Sequence, residues 1–170
     1  MKRTDLGGGG EFKSFGDEWR AAIREGEIDA LTQVSTNIVR SAIIKAPVFL
    51  GWLRRAIRFS KPAEEQGHLT SWIGFVEGEG EPAKYGLFVE NGRDPGKAPP
   101  PGALNLWVKR KWNLAEKDVP SAAFLLGRHI AEHGTKEQPF LRPAYYEEIP
   151  NLPRILKSAT EQALRKRVKH

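Results

Sequence analysis

The chain has 170 residues, 39% of them apolar, with five Trp, eight Phe, no Cys and a formal net charge of +6. That length suits one domain with a real core, and the missing thiols exclude disulfides, thiolate metal ligands and cysteine nucleophiles, so no oxidising compartment is needed. No window approaches the roughly 18 uninterrupted apolar residues of a membrane span, and Met1-Lys2-Arg3-Thr4-Asp5-Leu6 has no apolar run of signal-peptide length, so a soluble cytoplasmic product is expected.

Residues 1–16 read as a flexible leader, because the glycines at positions 7 to 10 have maximal backbone freedom and nothing to bury. From Asp17 a helix is predicted. Trp19, Ile23, Ile28, Leu31, Val34, Ile38, Ala42 and Ile43 recur mostly at spacings of three to five, laying one apolar stripe along it. Gly26 predicts a break into a short first helix and a second over about 27–45, and Pro47 ends it.

Residues 57–60, 69–76 and 85–90 are short, rich in aromatic and β-branched side chains, and bounded by Lys61-Pro62, by Glu77-Gly78-Glu79-Gly80-Glu81-Pro82 and by Asn91-Gly92. They are predicted as antiparallel strands joined by turns. Asp94-Pro95-Gly96-Lys97-Ala98-Pro99-Pro100-Pro101 marks an exposed loop. Two helices follow: residues 103–112 with Leu104, Trp107, Val108 and Lys111 on one side, and residues 121–133 with Ala122, Leu125, Leu126, His129 and Ile130 on one side. This pair reads as a helical-hairpin insertion over about 101–134. Residues 140–144 return to the core and a short helix covers 145–149.

The last helix, about 151–168, starts at the N-cap Asn151 with Pro153 in its first turn. Leu152, Ile155, Leu156, Ala159, Ala163 and Leu164 form its apolar face. Residues 151–170 also hold Arg154, Lys157, Arg165, Lys166, Arg167 and Lys169 against the single acid Glu161, a local charge of +5 that leaves about +1 for the rest. The body is nearly neutral and the end is a basic arm, a candidate contact for protein or DNA. The expected fold is α+β: one domain over 17–170, with a small antiparallel sheet packed against a long N-terminal helix and a C-terminal helix.

Catalytic constellations are few. His129-Ile130-Ala131-Glu132-His133 fits the spacing H-x-x-E-H, in which histidines one turn apart hold zinc and the glutamate acts as base. No later acidic helix offers a third ligand, and the motif ends at Gly134, where polar side chains suit a helix C-terminus. No metal, cofactor or catalytic residue is therefore expected. Glu77, Glu79 and Glu81 lack the ligand pattern of a calcium loop and read as a solvated hairpin tip. Trp107-Val108-Lys109-Arg110-Lys111-Trp112 interleaves cations with aromatics, one route to nucleic-acid binding. Together with the basic last helix it makes a nucleic-acid module the alternative function, although Trp107 packed inward beneath solvated cations explains the same residues.

Three stretches stand in a fixed order: Ala46-Pro47-Val48-Phe49-Leu50-Gly51-Trp52-Leu53-Arg54-Arg55-Ala56-Ile57, then Tyr85-Gly86-Leu87-Phe88-Val89-Glu90-Asn91-Gly92, then Gly134-Thr135 leading to Pro139-Phe140-Leu141-Arg142-Pro143-Ala144. Following a long helix, this series resembles the tail-completion and neck (head–tail joining) proteins of long-tailed bacteriophages and prophages, over roughly residues 27–165. Phe49-Leu50 stands where such proteins commonly have Asp-Thr, and Asn91-Gly92 where Gly-Thr is usual.

The resemblance implies a non-catalytic virion protein of the neck or top of the tail, assembled in the host bacterial cytoplasm. It implies a homo-oligomeric, sixfold ring that meets the head connector or stopper and the tail tube, touches no membrane, and stays a monomer or loose oligomer when isolated. Pro47 and Gly51 are expected to turn helix into strand, with Leu53 and Ile57 facing the core. Tyr85 and Glu90 lie on the next strand, where Glu90 would pair with Arg54 or Arg55. Pro139 and Pro143 set the path around Phe140. The loop 94–101 and the basic last helix are the expected ring interfaces, with packaged DNA a further contact for the latter.

Overall fold

The computed structural model describes residues 9–77 and 82–168, with side chains described over 16–77 and 85–167. In chain order the helices and strands are α1 (Gly9–Lys45), α2 (Trp52–Ala56), β1 (Ile57–Phe59), β2 (Ala63–Glu65), β3 (His68–Thr70), β4 (Ile73–Phe75), α3 (Pro82–Asn91), α4 (Asn105–Lys111), α5 (Val119–His133), α6 (Leu141–Glu148) and α7 (Leu152–Val168). Single 3₁₀ turns, Glu116–Asp118 and Ile149–Asn151, lead into α5 and α7. The fold is α+β, with a long N-terminal helix, two small two-stranded sheets and C-terminal helices.

Helix α1 starts inside the stretch expected to be leader and does not break at Gly26. Extending an existing helix fixes one residue per hydrogen bond gained, so it costs far less than nucleating a new one. Its buried stripe also differs from expectation. Ala22, Gly26, Ala30, Val34, Ile38, Ala42 and Ala46 are buried at a strict spacing of four, while Trp19, Ile23 and Ile28 are exposed.

The chain packs as two compact units. The first gathers Met1–Ser41, Arg58–Ile73 and Ala144–His170. Here α7 runs antiparallel to α1: Lys166 and Arg167 reach Glu25, Thr160 lies over Gly26, and Glu148, just before α7, bonds Asn37. A Cβ on Gly26 would sit 2.5 Å from Thr160 Cα, so the glycine marks the closest approach of two helix backbones. The hairpin β2–β3 pairs Ala63 with Thr70, Glu64 with Leu69 and Glu65 with His68. Its two-residue turn has Gln66 at φ 52° and Gly67 at φ 80°, the left-handed pair that suits the twist of a tight hairpin. Strand β2 escapes the sequence pattern because Ala-Glu-Glu has little strand preference. Glu64 is anchored to Arg24 at 2.6 Å, and Ser71 joins Ser35 of α1 to the Ser60 carbonyl.

The second unit gathers Ala42–Ile57 and Gly74–Pro143. Its α4 and α5 form the expected helical hairpin, with Val108, Val119 and Ala123 at the centre and Leu104, Trp107, Leu114, Ala122 and Leu126 packed around them. Leu125 and His129, expected on the inner side of α5, are exposed. The buried stripe is again small and spaced by four, Val119–Ala123–Gly127, which lets α4 approach closely. Residues 85–90 are helix, not strand. Pro82 suits the first turn of a helix, and half-buried Tyr85 and Val89 with buried Gly86 and Glu90 follow helical spacing. A short apolar run does not distinguish the two periods. Strands β1 and β4 pair with each other; the Val76 N–H donates to the Ala56 carbonyl in this unit, and the Ser60 N–H to the Trp72 carbonyl in the first.

Candidate functional site

The three ordered stretches meet in the second unit, where the Arg54 and Glu90 side chains each finish the end of a helix. Pro47 follows the end of α1, and Gly51 at φ 76° lets the chain turn into α2. The expected elbow from helix to strand therefore contains one extra helical turn. Leu53 and Ile57 do face the core. Arg54 reaches back to the end of α1, its Nε and Nη2 donating to the Ala46 carbonyl at 2.9 and 2.8 Å and its Nη2 also to the Ile44 carbonyl at 3.1 Å. The last carbonyls of a helix lack intrahelical donors and carry partial negative charge, so the guanidinium satisfies both needs. Arg55, by contrast, is exposed.

Glu90 is only 5% exposed and does not pair with Arg54 as expected. Its Oε2 accepts the N–H groups of Phe140 and Leu141, and its Oε1 accepts that of Arg142, all at 2.8 Å. A helix has four N–H groups without an intrahelical acceptor. In α6 three of them go to Glu90, and the fourth position is Pro143, which has no N–H to satisfy. The motif Phe140-Leu141-Arg142-Pro143 and the distant Glu90 are thus one complete N-terminal cap. Arg142 closes it sideways, with its Nη2 3.0 Å from Asn91 Oδ1 and 3.7 Å from a Glu137 carboxylate oxygen.

Around this cap the backbone is tightly laced. Arg93 and Thr135 exchange antiparallel bonds of 3.0 and 2.8 Å, and Gln138 N–H donates to the Val89 carbonyl. Glycines stand on both sides: a Cβ on Gly92 would lie 2.7 Å from the Thr135 carbonyl oxygen, and one on Gly134 would lie 2.0 Å from that of Arg93. Fully buried Phe140 packs on Phe75 at 5.9 Å, and Phe75 in turn lies against the bare backbone of Gly86. Half-buried Tyr85 has its phenol pushed above its ordinary pKa by burial. Pro139 is exposed ahead of the cap.

The other candidates lie elsewhere. His129 and His133 are exposed on the last turns of α5, while Arg128 Nε donates to Glu132 Oε1 at 2.8 Å and holds that carboxyl below its usual range. Glu132 is therefore committed to an ion pair and not presented as a base. No group of three or more metal-capable side chains occurs among the described residues. On α4, Trp107 packs into the hairpin core and stacks edge-on to Trp112 at 5.7 Å, with Phe49 6.5 Å away; Lys109 pairs with Glu116, and Arg110 and Lys111 are exposed.

In the first unit, Lys166 and Arg167 sit 3.4 and 3.6 Å from the Glu25 carboxylate and Arg165 is 4.0 Å from Glu161, so three cations of the basic arm share two carboxylates. Arg154 and Lys157 are exposed, and Lys169 lies outside the described residues, as do Glu79 and Glu81. The loop 94–101 is largely exposed, tied by Gly96 N–H to the Ala131 carbonyl. The feature that sequence patterns missed is a set of large apolar side chains on the surface of the second unit: Ile44, Val48, Leu87, Phe88, Phe124 and Leu125 are each more than half exposed. Comparison with protein-family models, curated proteins and solved structures finds no match to this chain.

Proposed function

We propose that this chain is a structural, non-catalytic subunit that completes the neck or tail of a long-tailed phage or prophage, closing a ring between the head connector or stopper and the tail tube. The observation that carries this reading is the use to which the ordered motif is put. Arg54 and Glu90, the charged residues that an enzyme would hold in a cleft, cap the ends of α1 and α6. The motif specifies a capped frame, and six large apolar side chains of the same unit face solvent. We read these exposed apolar side chains as the contacts of the subunit with its neighbours. In a ring the contact is heterologous, so two different patches of each subunit must be complementary. The exposed loop 94–101 and the apolar faces of α3 and α5 supply distinct patches for the two sides.

Deletion of the coding sequence in the phage or prophage that carries it, followed by electron microscopy of the lysate, tests the assignment. Filled heads and finished tails that fail to join, with joining restored in trans by the wild-type chain, are the expected result. Intact virions from the deletion strain would overturn it.

A further inference from the structure

We propose that His129 and His133 form a two-imidazole chelate for a late divalent transition-metal ion, of the zinc, nickel or copper class. The inference is independent of the ring assignment. The two rings lie one helical turn apart on the exposed face of α5, stacked with centroids 4.3 Å apart and planes 23° from parallel. Residues four apart on a helix are surface neighbours, and a cation about 2.0–2.1 Å from two imidazole nitrogens needs those nitrogens roughly 3 Å apart. The ring planes are nearly parallel, so with His133 held in place His129 must turn about its Cβ–Cγ bond to aim a nitrogen lone pair at an ion lying in the His133 ring plane.

The protonation of one ring is set by its surroundings. His133 Nδ1 lies 3.2 Å from the His129 carbonyl oxygen. A carbonyl only accepts, so Nδ1 carries the proton, and in the neutral ring the lone pair is on Nε2. A backbone carbonyl that fixes the tautomer through Nδ1–H is the usual outer partner of a metal-binding histidine. The site also lies at the C-terminal end of α5, one residue before Gly134, where the helix dipole favours positive charge. Glu132 is held by Arg128 and is not a ligand. The remaining coordination positions go to water. Imidazole donors select zinc, copper and nickel over the hard cations magnesium and calcium.

The test uses the full chain without a polyhistidine tag, titrated calorimetrically with zinc chloride and with nickel chloride, alongside H129A, H133A and H68A. His68, exposed on β3, serves as the control for a single surface imidazole. One equivalent should bind, with affinity falling at least tenfold in H129A and in H133A and unchanged in H68A. Zinc should also raise the melting temperature of the wild type and not that of H133A, because the chelate exists only while α5 is helical. Affinity in either single variant within threefold of wild type, or an equal loss in H68A, would overturn the proposal. Wild-type circular dichroism in both variants confirms that the helix is intact when affinity is compared.

Discussion

Substitution of Glu90 tests the central structural claim most directly. The carboxylate accepts three N–H groups at 2.8 Å while almost fully buried. A hydrogen bond to a charged group is worth about 1.5–3 kcal/mol net, loss of an N-cap costs about 0.5–2 kcal/mol, and the dipole adds about 0.3–1 kcal/mol. These contributions overlap and do not sum. Glu90→Ala removes the acceptor of all three N–H groups and leaves the Phe140 N–H buried without a partner, so a loss of about 4 kcal/mol is expected. Glu90→Gln is the sharper probe. Its amide oxygen can replace Oε2 and keep Phe140 and Leu141, but its NH₂ then faces the Arg142 N–H, donor against donor. A loss of about 2 kcal/mol follows. In urea, with a slope of about 2 kcal/mol/M, the midpoint should fall by about 1 M for Gln and about 2 M for Ala.

Arg54→Ala, which uncaps α1, should cost about 1–2 kcal/mol. Since Arg54 and Glu90 have no partner in common, the double variant should be additive within about 0.5 kcal/mol. A Glu90→Gln variant as stable as wild type would refute the cap, and a coupling above about 1 kcal/mol with Arg54 would restore a direct ion pair.

Two further outcomes follow from the packing and charge. Gly26→Ala should destabilise the protein by up to about 2 kcal/mol on thermal or urea melting, because overpacking against the Thr160 backbone costs about 1–3 kcal/mol, set against about 1 kcal/mol of better helix propensity; a more stable variant would mean the helices are not that close. The Glu132 carboxyl should titrate by NMR below its ordinary 4.5, owing to the Arg128 hydrogen bond and charge, and Arg128→Ala should return it there. With its folded value depressed, any stability this pair adds is present above the unfolded value and disappears as pH falls through the folded one. An unchanged midpoint in Arg128→Ala would remove the assigned cause.

Position by position, the limits of sequence legibility have physical reasons. Period and punctuation determined the long helix α1, its end at Pro47, the α4–α5 hairpin, the buried Leu53, Ile57 and Phe140, and the final helix, because these follow from nearest neighbours along the chain. Burial was misjudged where side-chain size and buried position part company. In α1 the pattern of large residues pointed to Trp19, Ile23 and Ile28, yet the inner stripe there is Ala22, Gly26 and Ala30, because α7 packs backbone to backbone. In α5 the same preference for small inner residues puts Phe124 and Leu125 on the surface. Sequence alone weighs each residue's own hydrophobicity and cannot see how near a partner helix comes. Nor could it know that Glu90, on a helix taken for a strand, would meet three N–H groups 50 residues away and more. The sequence by itself determined which residues are landmarks and in what order. Only the tertiary structure decided what they do, because an uncapped helix end acquires its partner when distant segments pack together.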